Sequence, residues 1–322
     1  MKQRRTYPSH RGRTVSANYA LAFAVVTIFA LGVLGSGSVF AKSAEDFLLI
    51  DQLVERSDGW QSHVRVYGPT KRAERDEYVV LLPSLGRGVE DFTEEYGSNL
   101  TTRLVQRGYQ VVLIQPRGIG KSTGDITPGM VTLQTLVNDI RQVLDELEIE
   151  RAHFVGHALG NRIARSFATL YPNSVIDVTL LASGGQEPLN AEQRGTLFAI
   201  FLAPTAEQRL PFVEKGFFAP GGDATVWLYG WYTPAALAQG FAAENPDVDF
   251  LEAGGKPILL IQPLEDFIAP PDDAGRPLAE QLGDQVTYVE IAHTGHALLP
   301  ERPNTVAARI IAYLSSSQSR GY

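Results

Sequence analysis

Five residues, Gly156-His157-Ala158-Leu159-Gly160, have the spacing of a turn that normally carries a catalytic nucleophile. In a G-x-S-x-G sequence between a strand and a helix, a sharp turn exposes the serine oxygen for attack on a carbonyl carbon. Here both glycines are present, but alanine occupies the serine position. Any chemistry at this turn must therefore proceed without a hydroxyl group at Ala158.

The residues on either side predict the strand and the helix that such a turn requires. His153-Phe154-Val155 is a short apolar run, and an apolar stripe follows the turn at helical spacing, made of Leu159, Ile163, Phe167 and Leu170. The stretch therefore has the strand, turn and helix order of a nucleophile elbow.

Strand and helix patterns also alternate along the rest of the chain. Apolar runs or apolar–polar alternation predict strands at 62–67, 78–82, 109–114, 175–181, 257–261 and 286–291. Helical periodicity predicts helices near 99–106, over 133–147 and over 304–314. This order is typical of parallel β-α-β units, so we predict an α/β fold with a mostly parallel central sheet flanked by helices.

One segment, residues 186–256, interrupts this alternation and is rich in aromatic rings. The rings are Phe198, Phe201, Phe212, Phe217, Phe218, Trp227, Tyr229, Trp231, Tyr232 and Phe241. We predict that the segment is a helical cap, or lid, over a core formed by residues 42–185 and 257–322. Most rings would pack within the cap, and about a third would line an apolar pocket at the carboxyl edge of the sheet.

The first 41 residues have the layout of an export signal. They contain five basic residues and no acidic ones, followed by an uncharged run over 14–41. The run ends in Val39-Phe40-Ala41, which fits a cleavage site, so we predict a signal peptide over 1–41 and a periplasmic or secreted protein. The alternative is a membrane anchor, because residues 14–41 are long enough to span a bilayer.

The charge balance argues against polyanionic partners. The chain has 28 basic and 36 acidic side chains, and loss of the five basic leader residues leaves 23 against 36, a net charge of −13. Without a basic cluster, such a domain repels phosphate backbones, so we predict a small-molecule ligand and no nucleic acid. There is no cysteine, and His153 and His157 straddle the elbow, so we predict neither a metal site nor a cofactor.

Five pieces of the chain, in order, resemble the α/β-hydrolase fold family. They are Pro83-Ser84-Leu85-Gly86, the turn from Gln115 to Ser122, the elbow, the segment from Gln262 to Asp266, and Thr294-Gly295-His296. The resemblance covers residues 62–314. It implies the fold of this family, with the helical cap inserted after the sixth strand.

The resemblance also implies which residues hold the catalytic positions, because the triad of the family runs nucleophile, acid, histidine along the chain. By position these are Ala158, Asp266 and His296, with Glu265 as the competing acid. Asp266 would orient the imidazole of His296 and stabilise its protonated form. His293 is interpreted as structural or pocket-lining.

The same resemblance implies an oxyanion hole beside the elbow. Its donors would be the backbone N–H of Leu159 and a second N–H after Pro83, assigned to Leu85. Ser84 is a turn residue, a pocket hydroxyl or a displaced nucleophile. His157 is interpreted as a structural or pocket residue.

An alanine at the elbow leaves three interpretations open. The first is an enzyme for a small, mostly apolar ester, lactone or carbonyl compound, in which His296 and Asp266 act as a general base and the oxyanion hole receives negative charge. The resemblance implies hydrolase chemistry here, or lyase- or cofactor-free oxygenase-like chemistry, without a serine. The second is a non-catalytic, ligand-binding pseudo-hydrolase, and the third is an engineered serine replacement. Because Asp266 and His296 are both retained, we favour the enzyme.

Overall fold

The computed structural model describes residues 40–43, 47–70, 77–183 and 187–319. Residues 1–39 of the predicted leader lie outside these ranges, and its last two residues, Phe40 and Ala41, belong to the first described strand. No helix within the described ranges has the length and apolar character that a membrane crossing requires.

The strands of the described residues form a single nine-stranded sheet. They are β1 (Phe40–Ser43), β2 (Phe47–Glu55), β3 (Gln61–Pro69), β4 (Tyr78–Leu82), β5 (Gln110–Ile114), β6 (Ala152–His157), β7 (Val175–Leu181), β8 (Ile258–Pro263) and β9 (Val286–Ile291). Their order across the sheet is β1-β2-β3-β5-β4-β6-β7-β8-β9. Three neighbouring pairs are antiparallel: β1 with β2, β2 with β3, and β3 with β5. The remaining pairs, from β5 across the sheet to β9, are parallel. The predicted mostly parallel sheet is therefore confirmed.

Helices cover both faces of this sheet. They are α1 (Leu100–Gln106), α2 (Leu133–Glu146), α3 (Leu159–Leu170), α4 (Ala191–Leu202), α5 (Ala206–Phe217), α6 (Thr233–Glu244), α7 (Gly275–Leu282), α8 (Leu298–Glu301) and α9 (Pro303–Ser319). Apolar residues of α2, α3 and α7 pack on one face, and those of α1, α8 and α9 pack on the other. Within β4, Val80 and Leu82 face the first layer while Val79 and Leu81 face the second, which explains its uninterrupted apolar sequence.

The insert, which we define as the described segment 187–256 with helices α4, α5 and α6, lies between β7 and β8. The sequence predicts a cap after the sixth strand, whereas the insert follows the seventh strand in chain order. The difference of one strand is β1, because the insert follows the sixth strand when the count begins at β2; the sequence patterns predict neither β1 nor β2. Most residues of β2 are half-buried, so its sequence neither alternates cleanly nor forms a fully apolar run.

The direction of the strands brings the predicted site residues to one edge of the sheet. Ser84 follows β4, Ala158 follows β6 directly, Asp266 follows β8 and His296 follows β9. These four strands are parallel neighbours or share parallel neighbours, so their carboxyl ends meet at the same edge. This is the edge at which open α/β sheets bind ligands.

The turn between β6 and α3 is a tight elbow, and its two glycines are required by close packing. A Cβ atom on Gly156 would lie 2.3 Å from the carbonyl carbon of Gly160, and one on Gly160 would lie 2.2 Å from the Leu82 oxygen. Ala158, at the apex, has φ 47° and ψ −107°, a conformation that L-residues seldom adopt. Such a backbone persists only where the surrounding structure enforces it.

Aromatic rings give the insert a small core that extends onto the site loops. Trp227 is fully buried and packs against Phe217, Phe218 and Trp231, with ring centroids 5.8, 5.9 and 6.2 Å away. The same apolar cluster includes Ile268 and Ala297, which are next to the loops of Asp266 and His296. Packing of the insert therefore stabilises the loops that carry these two residues.

We expect Gly160→Ala to lower the free energy of unfolding by about 1–3 kcal/mol, because the added methyl group must displace the backbone after β4. The matched control is Gly195→Ala, at an exposed position of α4 where a Cβ meets no atom within 4 Å. That change should raise stability by about 0.5–1 kcal/mol, because alanine favours the helix. Urea unfolding measures both, and equal effects of the two substitutions would contradict the close-packed elbow.

Candidate active site

Asp266 and His296 form a buried hydrogen-bonded pair. Nδ1 of His296 lies 3.0 and 2.9 Å from the two carboxylate oxygens of Asp266, and Oδ1 also accepts a hydrogen bond from the Ala269 N–H at 2.8 Å. Both side chains are nearly inaccessible to solvent. Because the carboxylate accepts the Nδ1 proton, the unprotonated nitrogen of the neutral ring is Nε2. His296 itself borders the large cavity described below.

Glu265, the competing acid, lies on the other side of its loop. Its Oε1 is 3.7 Å from Nδ1 of His293, whose side chain is 84% exposed. The structure thus places Asp266, and not Glu265, against His296. His293 is a surface residue and does not line the cavity.

Ala158 shares the cavity wall with His296, Ser84, Leu85 and Leu159. Its own N–H is occupied, because it donates to the Leu181 carbonyl at 3.0 Å. The side chain is a methyl group, so the elbow presents no nucleophile to the cavity.

Two backbone N–H groups beside Ala158 are free to donate to a ligand. Leu159 is the first residue of α3, and the first N–H groups of a helix have no intrahelical acceptor. Neither the N–H of Leu159 nor that of Leu85 donates to any residue in the described part of the chain. The neighbouring Gly86 N–H is occupied, since it donates to Oε1 of Gln239 in α6 at 2.7 Å. Leu85 and Leu159 are thus the available donors on the two sides of the elbow.

His157 is not a pocket residue, which corrects one of the sequence interpretations. Its side chain is fully buried and does not border the cavity. Its Nε2–H donates to the backbone carbonyl of His296 at 2.9 Å, and the two rings lie 5.2 Å apart. Burial, and then the proximity of His296, lowers the pKa of His157 to about 3. A neutral His157 therefore stabilises the backbone of His296 through this hydrogen bond.

Arg87 links the loop after β4 to the insert, a role that was not predicted from the sequence. Its guanidinium group makes a bidentate ion pair with Asp91 and donates to the Tyr229 carbonyl at 2.7 Å. It also lies 4.3 Å from the ring centroid of Trp227 and 4.4 Å from that of Trp231. A buried arginine is stabilised by such pairing and stacking together. The i, i+4 spacing of Arg87 and Asp91 was the available signal in the sequence.

The cavity between the elbow edge and the insert has a volume of about 1310 Å³. Of the ten aromatic rings predicted for the cap, four line it: Phe198, Phe201, Phe217 and Phe241. This agrees with the expected third, and Phe250 adds another ring. In the described residues no group of three or more His, Asp or Glu side chains is placed to hold a metal ion.

We expect the free energy of unfolding to decrease as the pH is lowered from about 6.5 to about 3, in part because of His157. In this range the unfolded histidine binds a proton that the folded one excludes, so acid favours unfolding. The unfolding free energy of the wild type should therefore decline relative to that of His157→Gln, by up to roughly 1.4 kcal/mol per pH unit. Glutamine keeps a donor for the His296 carbonyl but does not titrate.

The control for this comparison is His293→Gln, which alters an exposed histidine. Urea unfolding at pH 5, 6, 7 and 8 gives the difference between wild type and each variant. A difference for His157→Gln that does not change with pH would contradict a neutral, buried His157.

Comparison with known proteins identifies a family and several relatives of similar sequence. The alpha/beta hydrolase family matches residues 79–309. The chain is 34% identical over 113 residues to the 2-hydroxy-6-oxononadienedioate/2-hydroxy-6-oxononatrienedioate hydrolase of Paraburkholderia phymatum, covering 35% of this chain and 38% of that protein. It is 29% identical over 143 residues to the 2-hydroxy-6-oxo-6-phenylhexa-2,4-dienoate hydrolase of Comamonas testosteroni, covering 42% of this chain and 48% of that protein. Each match thus spans less than half of the relative.

Solved structures extend the likeness over most of the chain. The enol-lactonase of Burkholderia xenovorans aligns with a TM-score of 0.67 at 20% identity, covering 82% of this chain and 99% of that one. An esterase of Exiguobacterium antarcticum aligns with a TM-score of 0.67 at 17% identity, covering 82% and 98%. At these identities the likeness shows the fold. Together with the family match over residues 79–309, it establishes that this chain belongs to the alpha/beta hydrolase family.

Proposed function

We propose that this chain is an enzyme that cleaves a small, mostly apolar ester, lactone or carbonyl compound without a covalent serine intermediate. His296 acts as the general base, and Asp266 orients it. The observation that carries the proposal is the paired contact of Nδ1 with both Asp266 oxygens, which leaves Nε2 of a cavity-lining ring as the base.

The proposed reaction needs no group outside the site and water. Nε2 of His296 takes a proton from water as the water oxygen bonds to the carbonyl carbon, and Asp266 stabilises the imidazolium. The N–H groups of Leu159 and Leu85 donate to the oxyanion of the tetrahedral intermediate. From an ester the intermediate then expels the alkoxide, which takes the proton back from Nε2, and an acid and an alcohol leave. A lactone opens to a single hydroxy acid by the same step, and with a carbonyl compound cleaved at a carbon–carbon bond the carbanion that leaves takes the proton.

The missing hydroxyl creates space for this route. A serine at position 158 would place its oxygen between His296 and the carbonyl, whereas the methyl group of Ala158 cannot attack. Water next to that methyl group would take the place of the serine oxygen. We further propose that the insert acts as a cap that limits access of bulk water to this position.

The names of the relatives support the substrate class. They describe hydrolases of small oxo-dienoates and oxo-dienedioates, which are carbonyl compounds. The five phenylalanines that line the cavity suit a ligand with an apolar body. We therefore propose that the substrate is a small carbonyl compound with an apolar portion beneath the insert.

A second candidate function is ligand binding without turnover, which the alanine at the elbow favours. In subtilisin, loss of the serine lowers turnover by about 2 × 10⁶, so an enzyme that depended on an acyl intermediate would be inactive. A binding protein would bind compounds in the cavity and release them unchanged. Calorimetry beside product analysis separates the two functions.

We expect His296→Gln to lower kcat by about 10²–10⁴ on whichever member of an ester, lactone and ketone panel is turned over, because the base is lost. Asp266→Asn should lower kcat in the same direction, since an amide N–H favours the wrong ring tautomer. His293→Gln is the control and should leave kcat unchanged. Turnover that survives His296→Gln would exclude the dyad mechanism, and tight binding without turnover on the whole panel would favour the binding protein.

We expect Ala158→Ser to create a nucleophile that a fluorophosphonate probe labels at one site per chain. The elbow backbone already has the required geometry, and Nε2 of His296 would deprotonate the new hydroxyl. Intact-protein mass spectrometry measures the labelling. The wild type should remain unlabelled, as should the double variant Ala158→Ser/His296→Gln. An unlabelled but folded Ala158→Ser variant would show that the base does not reach the elbow.

A further inference from the structure

Arg165, on the elbow helix α3, is a buried cation without an acidic partner. The residue is only 2% exposed and borders the cavity. Within the described residues its single hydrogen bond runs from Nε to the Asn161 carbonyl, at 3.4 Å. Its two terminal nitrogens donate to no described residue, and it takes part in no ion pair there. Buried arginines are ordinarily paired, so this one has donors left for a ligand.

The guanidinium group is held in place by stacking. Its Cζ lies 4.8 Å from the ring centroid of Phe250, which is also a cavity residue. A contact with the ring occupies none of the terminal N–H groups, so these can donate to a planar anion in a bidentate contact.

Arg162, one turn earlier on α3, adds a second positive charge to the same part of the wall. It borders the cavity, donates to the Ala243 carbonyl at 2.5 Å, and lies 5.6 Å from the same Phe250 ring. Arg162 and Arg165 therefore share one aromatic platform. The two positive charges beside this ring repel each other, and an anion bound between them would offset that repulsion.

Among the described acidic residues of the cavity wall, Glu244 partly offsets the lowering of the Arg162 pKa by burial, whereas no acidic group raises the pKa of Arg165. Glu187, Glu244, Asp247, Asp249 and Asp273 are all exposed, and Glu244 is already paired with Arg194. None of them forms an ion pair with Arg162 or Arg165 in the described part of the chain. The pKa of Arg165 is lowered to about 9 by burial and then by the charge of Arg162, the effect expected where no anion is bound.

We propose that Arg165, assisted by Arg162, forms a carboxylate-binding subsite in the cavity, so that the ligand is apolar in its body and anionic at one end. This refines the sequence-based expectation of a mostly apolar ligand. No basic cluster was evident in the sequence because both arginines lie within a helix that otherwise packs in the core.

The position of the subsite limits the length of the ligand. Arg165 lies seven residues after Ala158, roughly 10 Å along the helix axis, and its side chain folds back toward Asn161. The guanidinium is thus on the order of 5–10 Å from the elbow. That span corresponds to roughly four to eight bonds between the carboxylate and the reacting carbonyl. This last step rests on the proposed function, whereas the carboxylate subsite does not.

The test compares two probes of one shape, 4-phenylbutanoate and its amide 4-phenylbutanamide, by isothermal titration calorimetry on the full chain. We expect the wild type to bind the carboxylate about 10–100-fold more tightly than the amide, because charge-assisted hydrogen bonds form only with the former. In Arg165→Met this preference should vanish while binding of the amide stays unchanged. Arg194→Met is the matched control, since that cavity arginine is already paired with Glu244, and it should keep the preference.

Thermal unfolding of Arg165→Met shows whether a loss of binding is caused by loss of the folded structure. Replacing an unpaired buried charge by methionine should leave the melting temperature unchanged or raise it. A preference for the carboxylate that persists in Arg165→Met would overturn the proposal. So would equal binding of the two probes by the wild type, or no binding of the carboxylate at millimolar concentration.

The outcome is independent of catalysis. A carboxylate preference that requires Arg165, in a protein that turns over no compound, would support the subsite and refute the proposed reaction. Turnover that depends on His296, in a protein that binds the two probes equally, would support the reaction and overturn the subsite.

Discussion

The contact of Gly160 with the end of β4 is the constraint on which the site depends. Only a hydrogen atom fits between the α-carbon of Gly160 and the Leu82 carbonyl, so α3 begins directly against the neighbouring strand. The turn passes through the positive φ of Ala158, and the N–H of Leu159 at the start of α3 has no intrahelical acceptor. The same approach sets the loop of Ser84 and Leu85 beside the elbow. Geometry made for a nucleophile is thus retained although the nucleophile is absent.

Around this elbow the site is held by pairs of polar groups buried without access to water. Asp266 holds the His296 ring, and His157 holds the His296 backbone. Arg87, enclosed by tryptophans and paired with Asp91, holds the loop after β4 to the insert. An unsatisfied partner in any of these pairs would be costly in a dry environment, so each pair specifies one arrangement. Arg165 differs from them because no described residue forms an ion pair with it. For that reason we propose that its partner is a carboxylate of the ligand.

Local sequence patterns were sufficient for strands β3 to β9, and the family resemblance supplied the order of the site residues. Buried parallel strands such as β4 and β8 are continuous apolar runs, and the glycines of the elbow are fixed by close packing. Strand β2 was not predicted, because its half-buried residues follow no clear period. The burial of His157 and the isolation of Arg165 depend on contacts with distant segments, His296 and Phe250, so no local pattern indicates them. Position in the family motif already favoured Asp266 over Glu265, and the contact with His296 is made by Asp266.

The central claim is that His296 activates water and that no residue of the chain is acylated. Rapid-quench mass spectrometry of the intact protein during turnover of its best substrate tests this most directly. We expect the unmodified mass at every time point while product accumulates, and product that forms about 10²–10⁴ more slowly with His296→Gln. An adduct of the acyl mass on any residue, with Ser84 the first to be examined, would contradict the account.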